Sequence, residues 1–162
     1  MKKMMIVLAA LLLTGCKAEP VFETLGDVHG IVSVSAASEV AIVLPENAAL
    51  GVMENEEAGK LYFCDGYTVT VQTLEAGDLN RTLQAVTGYT REELTLMQTQ
   101  KGNCLQYECV WTSAGEGTEQ VGRLCLLDDG VWHYAVVCMS DAGKAGSFAD
   151  QWQCIMDSIT LH

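Results

Sequence analysis

Several signatures of familiar chemistry are missing from this sequence. No Cys-x-x-Cys pair occurs among its seven cysteines, which removes the usual thiol-redox motif. No Gly-x-Ser-x-Gly occurs either, since Ser147 sits in Ala-Gly-Ser-Phe-Ala, so the nucleophile elbow of the α/β hydrolases is absent. Gly143-Lys144 lacks both the upstream glycine and the following hydroxyl that a phosphate-cradling Walker loop needs. The acidic group Glu54, Glu56 and Glu57 and the pair Asp128-Asp129 do not follow the spacing of a calcium loop, and loop solvation accounts for them. No internal repeat and no low-complexity tract is present. Basic residues are scarce, nine Lys and Arg against twenty-one Asp and Glu, and a surface so acidic repels nucleic acid and anionic headgroups.

Long hydrophobic runs are also lacking. The apolar residues 4–13 would cover roughly 15 Å as a helix, half of a hydrocarbon core about 30 Å thick. Preceded by Met1-Lys2-Lys3 and followed by Thr14-Gly15-Cys16, this run has the charged start, short core and small-residue exit of a removable signal. The string Leu13-Thr14-Gly15-Cys16 resembles the bacterial lipobox. That resemblance implies cleavage before Cys16 and a diacylglyceryl group on its thiol, and two acyl chains anchor durably where one is marginal. The expected organisation is a signal over residues 1–15, a lipidated tether over 16–30 and one globular domain over 31–162. The expected address is the extracytoplasmic face of a membrane. The 147 residues from Cys16 onward carry a formal charge of −14, because both signal lysines are lost. That length suits a single domain with a real core.

What is there from residue 31 onward is short β-rich runs. Residues 31–36, 40–44, 61–64 and 67–74 read as strands, with Asp65-Gly66 joining the last two as a two-residue hairpin loop whose residues both need positive φ. Asp78 is placed to cap a short helix over 79–86, with Leu79, Leu83 and Val86 on one face and Gly88 as the left-handed stop. Four further runs, 94–100, 104–112, 120–127 and 131–139, are separated by connections too short for parallel crossovers, so they form an antiparallel meander. On residues 104–112, Leu105, Tyr107, Cys109 and Trp111 share one face and Cys104, Gln106 and Glu108 the other. The run 131–139 is apolar on both faces, as in a sheet covered on each side. Residues 147–159 close the chain with Phe148, Trp152, Ile155, Met156 and Ile159 within about 100° of arc, a helix that lies on the sheet.

The pattern is therefore α+β: a twisted antiparallel sheet of six to seven strands, a short helix after the early strands and a C-terminal amphipathic helix. The meander over 94–139 and the closing "SFADQWQCIMDSITL" resemble the PsbP-like α/β/α sandwich over residues 38–162. That resemblance implies a non-catalytic binding or accessory role; the fold alone assigns no activity.

With Cys16 assigned to lipid, Cys64, Cys104, Cys109, Cys125, Cys138 and Cys154 remain, about 4% of the chain, fewer than a disulfide scaffold carries. Their first reading is as small core residues. The sharper expectation is a cross-strand disulfide between Cys104 and Cys125, which share a face if residues 113–119 form a hairpin. Cys104 and Cys109 face opposite sides and cannot converge on zinc, so no metal site is expected. His29, His133 and His162 form no sequence pair, and His133 reads as a packed strand histidine. Trp111, Trp132 and Trp152 read as core, and Cys154 as lying on the polar side of the last helix. No cofactor is expected. The partners expected are the membrane, through lipid on Cys16, and an unidentified protein or small molecule, with nucleic acid excluded. The rival reading is an extracytoplasmic enzyme or thiol protein whose site is assembled from residues distant in sequence, such as His133 with Cys138 or with the carboxylates.

Overall fold

The computed structural model of the chain describes residues 35–53, 59–114 and 117–162, all within one compact unit. Residues 1–30, expected as signal and tether and including His29, residues 31–34 and the acidic group Glu54, Glu56 and Glu57 lie outside the described residues. Nine strands are described: β1 (Val40–Ala41), β2 (Ala49–Leu50), β3 (Lys60–Phe63), β4 (Thr68–Glu75), β5 (Met97–Lys101), β6 (Cys104–Ala114), β7 (Glu119–Asp128), β8 (Trp132–Asp141) and β9 (Thr160–Leu161). Helix α1 spans Leu79–Thr87, and α2 (Ala142–Ala145) leads through a 3-10 turn, Gly146–Phe148, into α3 (Ala149–Ser158).

Seven strands form one antiparallel sheet in the order β2-β3-β4-β8-β7-β6-β5. Strands β5, β6 and β7 each pair with the next in sequence, the expected meander, and β8 then docks on β4. The chain thus passes from β4 in the middle of the sheet to the far edge at β5, and α1 makes that crossing. Asp78 Oδ1 accepts the Asn80 N–H at its start, and Gly88, with φ 83°, ends it.

The sheet is covered on both faces because its central strands are apolar on both. Tyr134, Val136 and Cys138 of β8 join Val69 and Val71 of β4 under Trp152, Ile155 and Met156 of α3. On the other face Ala135 and Val137 join Tyr107, Cys109 and Trp111 of β6 beneath Leu83 of α1. Ile155 and Met156 are 2% exposed, and burial of such a side chain stabilises by about 1.5–3 kcal/mol, so the α3 face is a main attachment. Gly122 lies opposite Trp111, and a Cβ there would stand 2.3 Å from the indole, so the ring occupies the space that any side chain would need.

Four expectations change. Residues 35–36 carry no strand, and 40–44 shrinks to β1, which pairs with β9 outside the main sheet; the Glu39 and His162 backbones extend that pairing through two hydrogen bonds. The strand expected from 94 starts at Met97, since Leu94 and Leu96 instead pack into the α1-side core. The β3–β4 hairpin forms, but only Gly66 takes positive φ (86°) while Asp65 does not, so its turn is not the type with two left-handed residues. The closing helix is preceded by α2 and the 3-10 turn, which continue from β8 without a loop.

Candidate functional site

A cleft of about 570 Å³ lies between the C-terminal end of β4 and α1. Local hydrogen bonding builds it. Where β4 ends, Ala76 donates its N–H to the Val131 carbonyl and turns the chain away from the sheet, and Asp78 then starts α1 back across it. Gln72 and Leu74 of β4 line it on the strand side and Asp78, Arg81 and Thr82 on the helix side, while the Glu75 side chain belongs to the opposite face of the sheet, with that of its partner Trp132. Among the described residues Lys60 pairs with Glu39, Arg123 with Glu108 and Lys144 with Asp141, whereas Arg81, like Arg91 and Lys101, makes no ion pair. Of these cations Arg81 lines the cleft.

Behind the wall runs a buried polar chain. The Thr82 Oγ1 and His133 Nδ1 atoms are 2.8 Å apart, and His133 Nε2 lies 3.6 Å from Asp128 Oδ2. His133 is 1% exposed and Thr82 6%, so the contact sits inside the protein and joins α1 to β8. Next to it, Asp129 Oδ1 accepts the N–H groups of Val131 and Trp132, and Oδ2 accepts the Tyr134 hydroxyl. Burial opposes the Asp129 charge, but those three donors outweigh it and hold the carboxyl below its usual range. The pair Asp128-Asp129, expected as solvated loop, thus organises the β7–β8 turn. Trp132 Nε1 donates to the Ser35 carbonyl and Ser38 N–H to the Tyr134 hydroxyl, so the start of the domain is tied to the same end as the cleft.

The cysteines stand apart from this site. Cys16 lies outside the described residues. Cys125 is opposite Glu108, and the ladder runs four more positions before Cys104, about 13 Å along the strand. The two share the α3-side face as expected, but the disulfide expectation fails on register: a bridge needs Cα atoms within about 7 Å, and both thiols are free. Cys109, Cys125 and Cys138 are buried core residues, and burial pushes their thiols up to about 11, 12 and 12. Cys154 is exposed on α3 beside a shallow apolar groove of about 350 Å³ formed with Val43, Leu44 and Pro45. Tyr67, between α3 and β8, is buried with its hydroxyl unpartnered among the described residues, and burial and then the neighbouring Cys64 raise its pKa. Trp111 and Trp152 are buried, and Trp132 is partly so. His162 contacts only Thr160 through its ring. Among the described residues no three His, Cys, Asp or Glu side chains converge as a metal site would require.

Sequence reasoning missed Arg81 and the Thr82–His133 contact. A faint signal existed: Thr82 sits on the apolar face of α1 three residues after Leu79, where a polar side chain needs a buried partner.

No family model matches this chain, and no curated protein matches it. Its fold is found among solved structures. A protein of Bacteroides thetaiotaomicron superposes with a TM-score of 0.53 at 11% identity over 76% of this chain, which spans 45% of that longer one. LpqN of Mycobacterium tuberculosis, described as involved in cell envelope biogenesis, gives 0.52 at 11% identity over 78% of this chain and 86% of its own. The PsbP protein of the cyanobacterium Synechocystis (CyanoP) gives 0.54 at 8% identity over 80% and 96%. At such identities the likeness is one of fold, and that fold is PsbP-like.

Proposed function

We propose that the chain is a lipoprotein whose Cys16 carries the lipid and which holds a non-catalytic binding domain on the outer side of a membrane. The observation that carries the anchor is the string Leu13-Thr14-Gly15-Cys16 after a charged start and an apolar run of ten. Among the described residues no helix is long and apolar enough to cross a membrane. Similarity in fold to LpqN, a protein described as involved in cell envelope biogenesis, supports the address. Support for binding comes from the α1–β4 cleft, whose lining includes the side chains of Arg81 and Gln72. A volume of about 570 Å³ falls in the range of small-molecule sites.

One observation favours the catalytic rival, the hydroxyl–imidazole–carboxylate chain Thr82–His133–Asp128. Its hydroxyl, however, belongs to the middle of a helix, is almost wholly buried and is already engaged with the imidazole. That places the chain with the core that joins α1 to the sheet, not with a nucleophile waiting in a cleft. Burial raises the Cys125 and Cys138 thiols and so disfavours the nucleophilic thiolate. Detergent phase partitioning of the native protein and of Cys16→Ala tests the anchor: the wild type is expected in the detergent phase and the variant in the aqueous phase. Partition of both into water overturns it.

A further inference from the structure

We propose that strand β5 is a dimer edge, on which a second copy of this chain pairs its own β5 antiparallel about a two-fold axis at Thr99. The dimer depends on neither the lipid nor the α1–β4 cleft. Strand β5 ends the seven-stranded sheet and runs along β6 with no slip in register from Met97↔Glu108 to Lys101↔Cys104. The turn between the two strands is Gly102-Asn103 alone, so Lys101 and Cys104 face each other as a hydrogen-bonded pair. Alternation then directs the backbone N–H and C=O of Met97, Thr99 and Lys101 at β6 and those of Gln98 and Gln100 away from the sheet. Among the described residues nothing is bonded to that outward set. The other bonds at this edge run from the Gln100 side-chain amide to the Gly102 carbonyl and from the Lys101 ammonium to the Asp157 carbonyl.

Open edges are normally guarded by an outward lysine, a proline, a bulge or extreme shortness. Strand β5 has none of these. Its five residues contain no proline, its ladder has no bulge, and its one charge, Lys101, is held by the last turn of α3, with Nζ 3.4 Å from the Asp157 carbonyl oxygen. The opposite edge, β2, is short enough to guard itself at two residues. Two features select a second copy over a foreign strand. Gln98-Thr99-Gln100 reads the same in both directions, so an antiparallel pair centred on Thr99 sets Gln98 of each copy against Gln100 of the other. Those are the residues with outward backbone groups, and each N–H then meets a C=O, the self-complementarity that a two-fold interface requires. Residues 94–107 also contain no acid in a chain that has twenty-one, so repulsion between two acidic copies is least where these edges meet. The same register lays Met97, 57% exposed, against the Lys101 stem of the second copy. One strand from each copy makes a small interface, so the dimer is a weak one.

The test is sedimentation equilibrium of the full chain in density-matched detergent, for the wild type and for Gln100→Pro. Proline at this position removes an outward N–H and no bond to β6, so the fold should survive, which circular dichroism checks. The wild type is expected in a monomer–dimer equilibrium, with dimerisation about tenfold or more weaker in Gln100→Pro, the scale of lost backbone pairing. A crosslinking pair keeps the proposal open to refutation even if the proline variant fails to fold. In a Cys154→Ser background, which removes the exposed native thiol, Thr99→Cys places one thiol on each side of the axis in a closely spaced pair. Thr112→Cys, exposed on the same face of β6 but beyond the end of β5, is the control. With oxidised glutathione as oxidant, Thr99→Cys should give a dimer that reductant dissolves, and Thr112→Cys should stay monomeric. A wild type that is monomeric at every concentration reached would overturn the inference and leave the edge to a strand from another protein. A folded Gln100→Pro that dimerises as well as the wild type, or crosslinking of Thr112→Cys equal to that of Thr99→Cys, would overturn it as well.

Discussion

Thr82 and His133, fifty-one residues apart, meet 2.8 Å from each other in the interior and are the polar link between α1 and the sheet. Thr82→Val keeps the shape and leaves His133 Nδ1 buried without its partner, which costs about 1–3 kcal/mol. Urea denaturation should register that loss, and Thr82→Ser, which restores a hydroxyl, should recover most of it. If the valine variant is as stable as the wild type, the contact is not a structural link.

The Trp111 ring fills the space over Gly122. A Cβ at that position would stand 2.3 Å from the indole, and overpacking of this kind costs about 1–3 kcal/mol. Gly122→Ala should therefore lower the urea midpoint without changing the slope, and the tryptophan fluorescence should shift as the ring moves. An unchanged midpoint would mean that the strands at β6 and β7 can part more easily than their register implies.

Tyr67 carries a hydroxyl that is buried beside the Cys64 thiol with no hydrogen-bond partner among the described residues. Removing a polar atom that gains nothing in the folded state relieves a desolvation cost. Tyr67→Phe should hold stability within about 0.5 kcal/mol or raise it, in contrast to Thr82→Val. A loss above about 1 kcal/mol would reveal a partner for that oxygen.

Burial sets the alkaline limit of the fold. The thiols of Cys125 and Cys138 are raised from about 9 to about 12, so the folded chain holds their protons more tightly than the unfolded chain does. Their contribution is complete below about pH 9 and is lost as pH rises toward 12, because the unfolded thiols ionise first. Urea midpoints should be level from about pH 7 to 8.5 and fall beyond it, and the double variant Cys125→Ala, Cys138→Ala should fall less steeply. Equal slopes in the two proteins would remove the thiols from the cause.

Much of this architecture is legible in the residues, and the exceptions have physical reasons. Helix α1 declares itself because cap, apolar spacing and stop all agree at Asp78, Leu79, Leu83 and Gly88. The long strands β6 to β8 do so because their alternation or unbroken apolarity extends over ten or eleven residues. Strands β1, β2 and β9 have two residues each, too few for any period, and β1 pairs with β9 only because the folded core brings the two ends of the domain together. Register was the other loss. Cys104 and Cys125 share a face by parity alone, but their offset depends on where the β6–β7 turn closes, and the paired ladder closes at Ala114 and Glu119. Arg81 was invisible for a different reason: an exposed arginine on a helix is ordinary until the fold places a cleft beside it.

The central claim is that a lipid on Cys16 holds this domain at a membrane, and the intact mass of the protein isolated from its native host tests it most directly. The account predicts a chain that begins at Cys16 and carries a diacylglyceryl adduct, absent from Cys16→Ala. An unmodified chain, whether it begins at Met1 or at another residue, would contradict it.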